Sequence, residues 1–175
     1  MKIIKANSYL PVSSEPFDLP VPTRLELYYS NILLCVYSVY EDETVDFTYN
    51  VNTEIPMLTP IHRKLEIDDI YFLIRSRVFP NNPYTAPMEL KRLGLEEYDP
   101  YKILLRTHGM LPNDCYWIRP ADEDIDFAAA SEMYMDFYRL SPEEREEKYK
   151  FKNKENVKAY NPKEFEGIES FLDLS

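Results

Sequence analysis

Two histidines, two cysteines and two dense groups of carboxylates are the residues of this chain that could do chemistry. Spacing limits each of them. His62 follows Pro60-Ile61 in a loop-like stretch, and His108 stands just before Gly109, where an imidazole can meet the last carbonyls of a helix. No HExxH or HxH spacing offers a zinc site. Cys115 with His108 would be a nucleophile and base, but seven positions of separation do not by themselves bring them within hydrogen-bond reach. Asp122, Glu123, Asp124 and Asp126 have the charge of a hard-cation loop, yet the glycine that such a loop turns on is missing. A solvated loop leading into a helix N-terminus, or a docking surface for a basic partner, accounts for them better. No Gly-x-Ser-x-Gly elbow occurs.

Backbone chemistry is equally restricted. Three glycines stand against fourteen prolines, and Gly94, Gly109 and Gly167 are isolated. A phosphate cradle needs N–H groups that converge at close range, which a glycine-rich loop provides. The expectation is therefore a chain without cofactor, without metal and without catalysis.

The elements that must position these residues suit one α+β domain. A chain of 175 residues with 45% apolar content can bury roughly 70% of its unfolded surface, so folding needs no disulfide or metal. Cys35 and Cys115, eighty positions apart, are expected as buried thiols in a reducing compartment. No apolar run approaches the ~20 residues of a membrane span, and no leader-like apolar segment follows Met1-Lys2, so the expected location is cytoplasmic.

Residues 1–23, with four prolines, are expected as an extended entry segment whose first few residues form a short edge strand. An N-terminal antiparallel β-meander follows: Leu25–Tyr29, a turn at Ser30-Asn31, Ile32–Tyr40, a polar turn at Glu41-Asp42-Glu43, and Val45–Val51. Several short helices come next. Ile67, Ile70, Tyr71 and Ile74 form one apolar stripe. Thr85 is the expected cap of a helix ending at Gly94, and Asp99-Pro100 opens another that stops at Gly109. Cys115–Ile118 reads as a short strand and Phe127–Tyr138 as a helix. Ser141-Pro142-Glu143-Glu144 is a capping box. The expected domain is 1–140, with 141–175 a charged helical tail or arm holding a last weak helix from Asn161.

Charge is unevenly placed around a net −11. Glu41, Asp42, Glu43 and Asp46 form one acidic group and Asp122, Glu123, Asp124 and Asp126 the other. Arg63 and Lys64, with Arg75, Arg77, Lys91 and Arg92, form a mildly basic middle. A duplex backbone repels an acidic surface. Nucleic-acid contact, if made, falls to Arg75, Arg77, Lys91 and Arg92, and the acidic groups are the expected protein-partner surface. Fifteen tyrosines and nine phenylalanines fit interfaces as well as half-buried core.

The stretch from Leu27 to Asn50, Arg75-x-Arg77-x-x-Pro80, Leu93-Gly94-Leu95-x-x-Tyr98-Asp99-Pro100, and above all Gly109, Asp114, Tyr116, Trp117, Ile118, Arg119 and Pro120 resemble a known pattern. It is the region preceding the kinase core in HipA-like proteins of Firmicutes and their mobile elements. The resemblance spans roughly 25–137 and is most specific at the Asp-x-Tyr-Trp segment. It implies a β-meander leading to helices, with Trp117 as a structural centre. The family's phosphate loop, catalytic loop and metal-binding Asp motif are missing, so kinase activity is not carried over.

Two functional expectations follow. One is a non-catalytic acidic regulator or inhibitor of phage or mobile-element type that binds a nucleic-acid-handling host protein, as some anti-CRISPR proteins do. The other is a detached N-terminal-lobe or antitoxin-like partner of a HipA-type kinase. Direct DNA binding and an enzyme of unrecognised type remain as further alternatives.

Overall fold

β-Branched and aromatic runs separated by two tight turns build the first half of the protein. In a computed structural model that describes residues 17–149, β1 (Thr23–Tyr29), β2 (Ile32–Val39) and β3 (Val45–Tyr49) form the expected antiparallel meander. The expected strand at the start of the chain and the helix from Asn161 lie outside the described residues. The first turn needs a left-handed residue, supplied by Ser30 at φ 52°; the second is closed by Glu43 at φ 62°. A fourth strand, β4 (Tyr116–Pro120), returns from far along the chain to pair antiparallel with β1, giving the order β3-β2-β1-β4.

Register sets the two faces. Leu25 opposes Tyr37 and Pro120, and Leu27 opposes Cys35 and Ile118, so these side chains share one face. That face joins the main core with Ile70, Leu73 and Ile74 of α1 (Ile67–Ser76) and Ile103 and Leu104 of α3 (Pro100–Thr107). Burying each such side chain fully is worth about 1.5–3 kcal/mol by area. The other face carries Glu26, Tyr28, Trp117 and Arg119. A smaller cluster of Met110, Trp117 and Ala130 packs there, Ala130 coming from α4 (Phe127–Arg139). Pairing also places the start of β1, the β2–β3 hairpin and the exit of β4 at one end of the sheet.

The short helices end where local chemistry dictates. Asp99 accepts from the Tyr101 and Lys102 amides to start α3, and Pro100 occupies its first position. Helix α2 (Ala86–Leu93) ends on Gly94 in the left-handed region. Thr85 precedes α2 as expected but makes no side-chain cap; the Asn82 carbonyl accepts from the Thr85 and Ala86 amides instead.

The boundary expected at 140 does not separate the next helix from the domain. Ser141 and Glu144 form the reciprocal capping box, and α5 (Pro142–Tyr149) folds back. Arg145 is buried and donates to the Phe137 and Leu140 carbonyls at the end of α4. Lys148 and Tyr149 both reach Asp136. A charged helix with no apolar stripe thus docks through one buried guanidinium set on carbonyls that a helix end leaves unsatisfied.

Candidate functional site

The sequence motif of Gly109–Pro120 is organised around one residue outside it. Arg77 follows α1 and is 4% exposed. Its Nε donates to the Gly109 carbonyl at 2.8 Å, its two terminal nitrogens form a fork onto Asp114 at 2.8 and 2.9 Å, and Nη2 also donates to the Tyr116 carbonyl at 2.8 Å. Such a bidentate pair is the strong form of a charge-assisted bond. Burial pushes the Asp114 carboxyl up, but the Arg77 hydrogen bonds, its charge and the Tyr116 amide outweigh that and hold it below the usual carboxylate range. Arg77 is therefore corrected from a nucleic-acid contact to a buried tie between α1 and the β4 approach.

The other motif positions turn inward too. Gly109 sits at φ +61°, where an added Cβ would meet Leu104 Cδ1 at 2.9 Å and Arg77 Cβ at 3.1 Å. Trp117 Nε1 donates to the Ser30 carbonyl at 2.7 Å and its ring stacks on Tyr28. Arg119 donates through Nε and Nη2 to Glu26 Oε2 at 2.9 and 2.6 Å, and through Nη2 to the Tyr28 hydroxyl. Burial, with the Glu26 charge next, pushes the Tyr28 hydroxyl up to about 12.

His108 does not use its ring on helix carbonyls as expected. The residue itself takes the left-handed cap of α3, and its ring, fully buried, places Nε2 2.5 Å from Glu123 Oε2. Its Nδ1 has no hydrogen-bond partner among the described residues. A histidine on a carboxylate has the composition of a general-base dyad. Here it fastens the segment 121–126, which runs back over Trp117 to the Phe127 amide near Asn31. Cys35 is buried and its thiol is pushed up to about 12 by that burial, whereas Cys115, expected to be buried, is half-exposed.

The two acidic groups differ in employment. In the segment 122–126, Glu123 holds His108 and Asp126 caps α4 by accepting from Ala129; Asp122 and Asp124 are exposed. In the hairpin, Asp42 accepts from the Thr44 hydroxyl and amide, which hold its carboxyl below the usual range, with Lys64 near enough to add to the effect. Asp46 accepts from Tyr40. Glu41 and Glu43 stand exposed at the tip. No group of three or more His, Cys, Asp or Glu side chains converges to hold a metal among the described residues.

The basic residues do not assemble into one patch. Arg63 forms a fork onto Asp69, Arg75 lies over the Phe17 ring, and Arg92 pairs with Glu89 and covers Tyr138. Of the four expected nucleic-acid contacts, only Lys91 is exposed; Arg75 and Arg92 are half-buried.

A cleft of about 270 Å³ opens between α2, α3, α4 and the 110–112 loop. Phe79, Leu93, Ile103, Met110 and Phe137 line its apolar base. Thr85, Glu89, Arg92, Tyr134 and Tyr138 supply polar groups along α2 and α4. Beside it the surface exposes Tyr84 (92%), Met88 (52%) and Tyr138 (52%). None of these three was singled out from sequence, although Met88 carries a signal: it is apolar but out of phase with the buried stripe Ala86, Leu90 and Leu93. A shallower depression at the other end of the sheet is lined by Tyr29, Glu54, Pro56, Asp114, Cys115 and Tyr116. His108 and Glu123 line neither.

No family model, curated protein or solved structure matches the chain. No helix among the described residues is long and apolar enough to cross a membrane.

Proposed function

We propose that the chain is a non-catalytic regulatory protein of phage or mobile-element type that binds a basic, nucleic-acid-handling host protein in the cytoplasm and inhibits it. The observation that supports this reading is the β2–β3 hairpin. Glu41, Asp42, Glu43 and Asp46 stand together at one end of the four-stranded sheet, and among the described residues none of them makes a salt bridge. A fixed cluster of like charge raises the encounter rate with a cationic surface and orients the approach.

The alternative, partnership with a HipA-type kinase, draws its support from the Asp114–Pro120 resemblance. Those side chains are engaged inside the fold, so that reading has less surface to work with.

The test is capture from host lysate with the chain and with a Glu41→Lys/Glu43→Lys variant. Retention of a nucleic-acid enzyme, lost at least about 10-fold on charge reversal and weakened by added salt, is the expected result. Equal capture by both proteins would remove the hairpin from the interface.

A further inference from the structure

We infer that the free edge of β3 takes an extended segment of the protein partner as a fifth strand, one that alternates apolar and basic residues. The inference rests on the hairpin reading above and adds how the partner is held: by its main chain, along the edge that the acidic turn flanks.

The two edges of the sheet are finished differently. On the β4 side the Ser30 amide donates to the Cys115 carbonyl and the Ala121 amide to the Arg24 carbonyl. Alternation then turns the main-chain groups of Tyr116, Ile118 and Pro120 outward. Those groups find partners. The Tyr116 amide donates to Asp114 at 3.1 Å, and its carbonyl accepts from Arg77 at 2.8 Å. The Ile118 amide donates to the His108 carbonyl at 2.7 Å, and the Pro120 carbonyl accepts from the Glu123 amide at 3.0 Å. Pro120 has no amide hydrogen to offer. A further strand has almost nothing to pair with there.

On the β3 side the Tyr40 amide donates to the Thr44 carbonyl and the Asn50 amide to the Leu34 carbonyl. The even-numbered residues therefore face β2, and Val45, Phe47 and Tyr49 turn their amides and carbonyls outward. Among the described residues no hydrogen bond reaches the outward main chain of these three. A row of unpaired main-chain groups is a template for strand addition.

The neighbours set the chemistry of the occupant. An added strand continues both faces of the sheet. On the core face it meets Phe47 and Tyr49, both half-exposed, whose rings stack on each other and, through Phe47, on Tyr37. Apolar side chains extend that row. On the other face it meets Asp46, which is exposed, and Thr48. Glu41, Asp42 and Glu43 stand just beyond the end of the strand. Lys64 offsets Asp42, and Arg75 shares the surroundings of Tyr71 with Glu43, Asp18 and Asp68, so acid stays in excess along this edge. A second copy of the chain would bring the same carboxylates and a net charge of −11. Like charge repels it, while lysine or arginine at alternate positions is attracted.

The probe is a short peptide alternating lysine and valine, with two N-methylated forms, one methylated at the valines and one at the lysines. Each methylation removes the amide donors along one edge of the peptide and leaves its charge intact. All three are titrated into the intact protein by calorimetry, with amide hydrogen exchange followed by NMR. Expected are new protection of the Val45, Phe47 and Tyr49 amides and a loss of at least about 10-fold for one methylated form only, the one whose blocked edge faces β3. Glu41→Lys/Glu43→Lys should weaken the unmethylated peptide, and an unchanged melting temperature will show that this variant folds. Equal affinity for all three peptides with the charge dependence kept would overturn the strand inference and leave the hairpin reading standing. Discrimination between the methylated forms without charge dependence would sink the hairpin reading, and with it the basic character of the occupant. Absence of binding, or a dimer of the chain that the peptide disperses, would also overturn the inference.

Discussion

The approach to β4 and the β2–β3 hairpin are both polar loops fixed to the same sheet, and they use their charges in opposite ways. Between Gly109 and Pro120 the polar side chains meet partners from distant parts of the chain: Asp114 meets Arg77, Trp117 meets Ser30 and Arg119 meets Glu26. In the hairpin the bonds are local, Asp42 to Thr44 and Asp46 to Tyr40, and the remaining carboxylates face water. Long-range charge-assisted bonds lock elements together and leave little for a partner to recognise. Local bonds fix the shape of a loop and leave its field outward. A motif that is prominent in the sequence can thus be a joint, while an ordinary-looking acidic turn is the surface.

The sharpest way to break this comparison is to remove the joint. Arg77→Met keeps length and apolar contact but leaves Asp114 and the Gly109 and Tyr116 carbonyls without their donor. The expected loss is about 3 kcal/mol, roughly 6–12 °C in Tm for a domain of this size. Half-exposure of Asp114 keeps the figure at the low end of what breaking a buried pair costs. Thermal denaturation followed by circular dichroism checks it; a loss below 3 °C would mean that Arg77 is a surface residue in effect.

This same residue shows what the sequence could and could not display. The Asp99-Pro100 start, the Gly94 stop and the three-stranded meander were legible because their causes lie within a few residues: a cap, a left-handed glycine, an alternating strand. Arg77 read as exposed because arginine mostly is, and its partner lies 37 positions away. Docking of α5 was hidden for the same reason, since Arg145 is the single buried residue of that helix. Asp126 was legible as a carboxylate near a helix start, whereas the use of Glu123 on His108 depends on how the segment 121–126 returns over β4. The cleft exists only once three helices meet, and Met88 alone hinted at it.

A pair of glycines sharpens the contrast at smaller scale. Gly94 and Gly109 both have φ above +60°, but an added Cβ at Gly94 meets nothing within 4 Å, while at Gly109 it strikes Leu104 and Arg77. Gly94→Ala should cost about 1 kcal/mol, the left-handed penalty alone. Gly109→Ala should cost about 2–3 kcal/mol, because the Arg77 stem must shift as well. Urea unfolding of the two variants measures the difference; equal losses would mean that the joint around Arg77 is soft.

Acid gives the smallest and most diagnostic effect. The Asp114 and Asp42 carboxyls are both held below the usual range, the first by Arg77 and the Tyr116 amide against its own burial, the second by Thr44. For a depressed carboxyl the stabilisation is fully present above the unfolded pKa, about 3.9, and is lost as pH falls through the lower folded value. Both losses therefore begin below about pH 4, yet they should differ in reach. Protonating Asp114 weakens the joint, so Tm should fall by a few degrees more in the native protein than in Asp114→Asn, which no longer titrates there. Protonating Asp42 releases only Thr44, so its signature is a change in the Thr44 amide shift with no effect on Tm beyond that of Asp42→Asn. A hairpin whose titration moved the global Tm as much as Asp114 does would be a second joint, and the carboxylates at its tip would then have to be counted as part of the framework.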